Sequence, residues 1–381
     1  MMQIEVSKQD LVQTLKFVAA TVAKSGDDLS GHYLFRLVPD TADAVEVLSY
    51  DGKVSSSARL TCKYTATEGG VTAFTFEARR LDMWLNAVPD AALTLEHKDG
   101  TTTAFSPLGN QKFQSLDPSK FPYWDALLAE AKPTTKVLAN RLKAALQYAR
   151  PFIYADETKH PHLCQVQFRD GNLYATDTAT AVAVKLAGFE QANFSVSGKS
   201  LSNLLTFLSQ CGDGEVEIRE HEHMVLYCLA GTAIFGESRM HAQFPKLSLG
   251  LDNPNQQTWK LNRGEITNIL NFLLSAAPKD NEHLILSDAS SDSAVKMGMA
   301  VAAGGTKHLE ISCAGKAKQD GAAALPDKGF KVRYVNLQKV LAAHSTEDVL
   351  VGINAKGTGG WLRFDEARDG DNYYAIVQWS N

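Results

Sequence analysis

Apolar positions along the chain fall into one short phrase that recurs six times, at intervals of roughly 60–70 residues. It reads apolar, any, apolar, then four residues, apolar, three residues, apolar. The copies are Ile4/Val6/Leu11/Leu15, Phe74/Phe76/Leu81/Leu85, Thr135/Val137/Leu142/Leu146, Phe194/Val196/Leu201/Leu205, Trp259/Leu261/Ile266/Leu270 and Phe330/Val332/Leu337/Leu341. Only Thr135 departs from the apolar rule. A period of two giving way to a spacing of i, i+4 marks a strand end that runs into a helix with one buried stripe. Six such units predict a structure with near-sixfold repetition.

The first, third and fifth copies carry the longer stripes: Leu11, Leu15, Val18 and Val22; Leu142, Leu146, Ala149 and Ile153; Ile266, Leu270, Leu273 and Ala277. Helices of the even copies stop near Pro89, Gly212 and Ser345. Odd and even units therefore alternate, which pairs them into three domains of two. Between helices the chain reads as strands, at 33–38, 44–49, 55–61, 92–96, 163–168, 179–186, 216–219, 224–229, 283–286, 349–353 and 373–377. The pairs Asp51-Gly52, Asp99-Gly100, Asp170-Gly171 and Gly359-Gly360 read as hairpin turns between them. Each unit is then a strand, a helix and several antiparallel strands, an α+β module. Proline-rich and polar connections at 118–132 and 251–257 set the domains at 1–128, 129–254 and 255–381.

Composition narrows the class. Hydrophobic content of 44% and charged content of 21% over 381 residues suit several folded domains. No apolar run approaches the ~18 residues of a membrane span, and the start lacks a basic-then-apolar leader, so a non-membrane, non-secreted protein is expected. Cys62, Cys164, Cys211, Cys228 and Cys313 are scattered and odd in number, which fits reduced thiols rather than a disulfide or zinc framework. A net charge of −5 argues against a surface that grips nucleic acid everywhere, but leaves room for a basic patch.

Rotation at 100° per residue locates that patch. Opposite the core stripes lie Gln13, Lys16, Ala20 and Lys24; Arg79 and Asn86; Lys143, Gln147 and Arg150; Lys199, Asn203 and Thr206; Asn268 and Asn271; and Lys339. Acids are nearly absent from these faces, with Asp10, Asp82 and Glu265 towards helix starts, although the chain holds 43 acids against 38 bases. Solvated helix faces often carry lysines and amides. A bias shared by six helices points instead to a mildly basic lining for a polyanion, one that meets phosphates without reading bases.

Three two-unit domains, with paired helices backed by antiparallel strands, resemble the bacterial-type sliding clamp, the beta subunit of the replicative DNA polymerase. Local phrases carry the likeness in the right order. Leu116-Asp117-Pro118-Ser119-Lys120-Phe121-Pro122 is similar to the family's close of domain 1, Tyr174-Ala175-Thr176-Asp177 to its Ala-Thr-Asp strand, and Phe244-Pro245 to its Arg-Phe-Pro segment. The resemblance spans the whole chain. It implies three similar clamp domains that form half of a pseudo-sixfold ring, closed head to tail by a second copy. Twelve helices would then line a channel around double-stranded DNA, with Lys16, Lys24, Arg79, Lys143, Gln147, Arg150, Lys199, Asn203, Asn268, Asn271 and Lys339 facing it. It further implies a processivity factor that tethers a DNA polymerase, opened by a clamp loader, with no catalytic chemistry and no cofactor. Its place would be the bacterial cytoplasm or nucleoid, or an infected host's cytoplasm.

The same resemblance implies a pocket for a partner's linear peptide, formed by Thr176, Thr178, Thr180, Ala181, Pro245, Leu249, Ala375, Ile376, Val377, Gln378 and Trp379. Here the chain departs from the family: Thr178-Ala179-Thr180-Ala181 replaces a usual Gly-His-Arg-Leu, and Gln378-Trp379-Ser380-Asn381 replaces a Met-Pro-Met-Arg-like end. Such drift points to a virus-encoded or otherwise divergent clamp. For the dimer seam, Phe272 and Leu274 flank the core stripe of their helix, with Phe113 as the candidate on the opposing side. Two rival readings stay open: a clamp-like ring that recruits repair or transcription factors, and an enzyme or ligand-binding protein with an inter-domain pocket.

Three motifs imitate chemistry. Gly198-Lys199-Ser200 opens a helix as a phosphate loop would, but Asn193 stands where the first glycine is required. His160 and His162 flank a proline that disfavours convergence on a metal, and His221 and His223 alternate across a turn.

Overall fold

The computed structural model describes residues 1–23, 28–38, 41, 43–67, 71–240, 242–245, 247, 257–276, 283–288, 294–300, 306–318, 330–356, 359–368 and 370–380. The expectations for Lys24, Leu249 and Ala277 lie outside the described residues.

The fold is α+β, and a strand, a helix and three antiparallel strands follow one another six times. Repeat 1 leads with Met2–Ser7 into the helix Lys8–Val18, then the strands His32–Leu37, Ala44–Tyr50 and Val54–Thr61, the last prolonged by Lys63–Ala66. Repeat 2 leads with Ala73–Glu77 into Ala78–Ala87, then Ala92–Lys98, Thr101–Ser106 and Gly109–Gln114. Repeat 3 is Lys132–Leu138, the helix Ala139–Ala149, and Gln165–Arg169, Asn172–Thr176 and Thr180–Lys185. Repeat 4 is Asn193–Ser197, the helix Leu201–Cys211, and Glu215–Glu220, Met224–Leu229 and Ala233–Ser238. Repeat 5 is Gln257–Asn262, the helix Arg263–Ala276, and His283–Asp288, Ala294–Ala300 and Thr306–Lys318. Repeat 6 is Phe330–Arg333, the helix Tyr334–Ala343, and Asp348–Lys356, Gly359–Arg368 and Asp371–Ser380.

Every apolar member of the sixfold phrase is buried. The phrase is therefore the core itself, and truncating one member, such as Leu11→Ala, should cost about 2–5 kcal/mol. Thr135 escapes the rule because the pairing register shifts between Pro133 and Thr135, so this half-buried threonine does not occupy the inward site of its counterparts.

Helix ends differ from the stripes in two places. In repeat 1 the helix stops at Val18, a 3-10 turn covers Ala19–Thr21, and Val22 is already extended. The Thr21 hydroxyl donates to the Val18 carbonyl at 3.0 Å, competing with helix continuation. In repeat 3 Pro151 starts the same change, and Ile153 is extended. Asp99-Gly100 and Asp170-Gly171 turn with positive φ at both residues. Gly359-Gly360, expected as a turn, instead begins a strand. The connection at 118–132 holds a 3-10 turn, Pro118–Lys120, and a short helix, Asp125–Glu130.

Pairing between repeats follows two rules. Within each odd–even pair the leading strands are exchanged: each pairs with the first strand after the helix of its sister repeat, as Met2–Ser7 does with Ala92–Lys98 and Ala73–Glu77 with His32–Leu37. The second rule joins repeats three apart through their last strands. Val54–Thr61 of repeat 1 pairs with Ala233–Ser238 of repeat 4, and Thr180–Lys185 of repeat 3 pairs with Asp371–Ser380 of repeat 6. Two compact units result, Met1–Ala144 with Val196–Met240 and Ala145–Ser195 with His241–Asn381. The first holds a five-stranded and an eight-stranded sheet, the second a twelve-stranded one.

Candidate functional site

In the first unit Lys16, Arg79 and Lys199 are exposed, while Lys143 and Asn203 are half-buried. Asn203 donates to Asp51 at 3.4 Å. The acids of these helices are spent locally. Asp10 accepts from the Ser7 hydroxyl at 2.6 Å while its own N–H is capped by Ser7, and Asp82 accepts from the buried Tyr33 hydroxyl at 3.2 Å. Burial raises the Asp82 carboxyl above its ordinary range. In the second unit Gln147, Arg150, Asn268 and Asn271 are exposed, and Glu265 accepts from the Ser312 N–H at 3.1 Å. Lys339 is half-buried, and its ammonium pairs with Asp177.

Strand pairing brings together, within the second unit, several of the residues expected at the peptide pocket. Thr180 lies opposite Val377, Ala181 opposite Ile376 and Val182 opposite Ala375. The Gln378 N–H donates to the Ala179 carbonyl at 3.2 Å, which brings the end of that strand beside the 177–179 turn. Phe244 and Leu247 pack with Ala181, against Tyr174. Six of the expected lining residues, Thr176, Thr180, Ala181, Ala375, Ile376 and Val377, are buried rather than exposed. Thr178 and Gln378 are exposed and Pro245 half-buried. The backbone of Trp379 pairs with Gly360.

At the expected seam, Phe113 is corrected to a core residue. It is 3% exposed and meets Phe76 edge to face at 5.0 Å, with the Arg80 guanidinium over its ring. Alternation along its strand turns it inward, and the exposed apolar side chain of that hairpin is Leu108. Phe272 is exposed and Leu274 half-buried. The position of Phe272 has counterparts: six residues after the first helical apolar site stand Phe17 in repeat 1, Tyr148 in repeat 3 and Phe272 in repeat 5. Phe17 packs edge-on against Phe207 of repeat 4 at 5.9 Å, and Tyr148 against His344 of repeat 6 at 5.6 Å. Phe272 is 49% exposed.

The loop imitating a phosphate site is closed from within. The Ser200 hydroxyl donates to the buried Glu237 carboxylate, which also accepts from the Tyr227 hydroxyl at 3.0 Å. Burial pushes Glu237 up to about 7 against the opposing effect of these hydrogen bonds. Pro161 does not keep the neighbouring histidines apart as expected: it begins a 3-10 turn, and the rings of His160 and His162 meet edge to face at 5.8 Å. Among the described residues no group of three or more metal-ligating side chains converges. A cavity of about 600 Å³, which no sequence pattern announces, lies in the first unit over the junction of repeats 1 and 4. Its rim charges are mutually paired: Arg36 sits between Glu46 and Asp125 at 2.6 Å from each, and Lys136 lies 3.8 Å from Glu215.

No protein-family model matches the sequence, and no curated protein matches it. Solved structures do. The DNA polymerase III beta subunit of Thermotoga maritima superposes with a TM-score of 0.78 at 15% identity, with all of both chains covered. The DNA polymerase III subunit beta of Pseudomonas aeruginosa gives 0.79 at 15%, again over both whole chains. The DNA polymerase sliding clamp of Bacillus subtilis gives 0.78 at 16%, covering 100% of this chain and 99% of that one. Sequence similarity is low while the backbone is shared over the whole chain. The chain has the bacterial sliding-clamp fold.

Proposed function

We propose that this protein is a DNA sliding clamp: a non-enzymatic ring of two copies that encircles duplex DNA without regard to sequence and tethers a polymerase to it. The observation that carries this reading is that, among the described residues, the pairing between repeats three apart is incomplete. Repeat 1 has repeat 4, and repeat 3 has repeat 6, each through a last strand and a helix aromatic. Repeats 5 and 2 are the remaining set. Continuing the rule, Thr306–Lys318 of one copy pairs with Gly109–Gln114 of the next, and exposed Phe272 meets the helix of repeat 2, which shows Met83 at 63% exposure. A head-to-tail dimer satisfies both ends at once.

In this reading the basic and amide faces line the channel, and few charges with many short polar groups favour sliding over docking. The three domains 1–128, 129–254 and 255–381, the clamp loader and the cytoplasmic site belong to the same proposal. So does the pocket around Thr178, Pro245 and Gln378 as the partner site. The deciding experiment is retention on nicked circular DNA. The protein, loaded by its cognate loader, should stay on the circle and leave once the DNA is cut to a linear form. Equal retention on both forms would refute a topological link.

A further inference from the structure

We propose that Lys339 is a positioning residue for the partner pocket and not a phosphate contact: from the helix of repeat 6 it grips Asp177 and holds the 176–180 turn in shape. The proposal deepens the clamp reading and rests on it for the pocket's role. Asp177 divides its two oxygens. Oδ1 accepts from the Ala179 N–H at 3.1 Å, the Thr180 N–H at 2.7 Å and the Thr180 hydroxyl at 2.8 Å. Oδ2 receives the Lys339 ammonium, which also lies over the ring of buried Phe152, 5.9 Å from its centre.

The turn needs such a grip. At its tip Thr178 has a φ of +82°, in the left-handed region that a branched Cβ rarely occupies. A strained residue persists only where its surroundings over-determine it. Here they do so through Asp177, through the Thr176 hydroxyl donating to the Thr180 carbonyl at 2.7 Å, and through the Thr178 N–H donating back to that hydroxyl at 3.2 Å. Exposed Thr178 is the point where the turn meets solvent beside Gln378. A phosphate could claim the Lys339 ammonium only by displacing a carboxylate that is itself held by three donors. The lysine is thus committed to the pocket, although its helix phase matches that of the channel residues.

The test is amide hydrogen exchange at fixed pH, read at Ala179 and Thr180. Lys339→Met should speed exchange there roughly tenfold, with mid-strand Leu173 and Val184 unchanged, as expected for loss of one charge-assisted restraint on a local unit. Asp177→Asn should do the same, and Lys339→Arg should largely restore protection. Adding Thr178→Gly to Lys339→Met should also restore it, because glycine removes the strain that the pair opposes. Unchanged exchange in Lys339→Met overturns the proposal, and so does acceleration spread evenly over the strands. A second arm measures the salt dependence of retention on nicked circular DNA. Lys16→Met and Lys199→Met should each lower the slope by about 1, and Lys339→Met should leave it unchanged. A fall of about 1 for Lys339→Met also overturns the assignment. If the unaltered protein is not retained on circles, the clamp reading fails, and the exchange arm still decides the role of Lys339.

Discussion

Trp124 lies against the backbone of Gly236: a methyl group built on that glycine would stand 2.5 Å from the indole, 2.8 Å from Leu226 and 2.9 Å from Met224. The tryptophan is 4% exposed and packs with Ala131 and Leu226, while Leu127 and Leu128 of the short helix pack beside it. This contact fastens the connection at 118–132 to the sheet of the first unit. Gly236→Ala should therefore destabilise the protein by about 1–3 kcal/mol in urea unfolding, as overpacking does. Trp124→Ala combined with it should cost less than the sum of the two single changes. Full additivity would mean that the two sites do not share the contact.

The proposed seam makes a solution prediction. Light scattering should show a dimer, and Phe272→Asp should give monomers by placing an unpaired charge in the interface. Such a charge costs about 3–5 kcal/mol, enough to raise the dissociation constant by roughly two to nearly four orders of magnitude. Leu274→Asp is the poorer probe because Leu274 is half-buried within its own repeat, so its loss would also disturb folding. A dimer that survives Phe272→Asp would move the interface elsewhere.

Glu237 gives a pH signature. Its carboxyl rises from 4.5 to about 7 in the folded protein, chiefly through burial. Below pH 4.5 it is protonated in both states and costs nothing. Between 4.5 and 7 the unfolded chain releases the proton and the folded one does not, and above 7 the full penalty applies, on the order of 3 kcal/mol. Glu237→Gln should accordingly stabilise the protein at pH 8 and leave it nearly unchanged at pH 4. The same gain at both values, or a loss at pH 8, would show that the carboxylate is well accommodated.

The carboxyl-terminal strand offers a functional test. Ending the chain at Gln378 removes the residues whose backbone pairs with Gly359, Gly360 and Lys331 but keeps the Gln378 N–H bond to Ala179. Polymerase stimulation should fall severalfold while the protein stays dimeric by light scattering. Undiminished stimulation would remove the end of this strand from the partner site.

Much of this architecture was legible in the sequence because burial is periodic. The switch from period two to i, i+4 marked all six strand–helix junctions, and the phase of Phe272 beside Ile266, Leu270 and Leu273 announced its exposure. Some strands went unread. Gly109–Gln114 has a single inward side chain, Phe113, and Ala233–Ser238 gets its place from neighbours on both sides rather than from alternation. Lys339 shows the deeper limit. Rotation of its helix set it among the channel residues, but Asp177 lies 162 positions away, and no local pattern reports such a pairing. The burial of six residues expected to line a pocket went unread for a related reason: a resemblance transfers positions, whereas burial depends on which side chains now fill them.

The exchange of leading strands has an arithmetic consequence. A single repeat cannot close its own sheet, because the strand that begins it completes the sheet of its sister. Removing one repeat would leave one sheet missing a member and one leading strand without its sister partner. A chain built on this plan can be shortened or lengthened only two repeats at a time, so its evolution counts in even numbers.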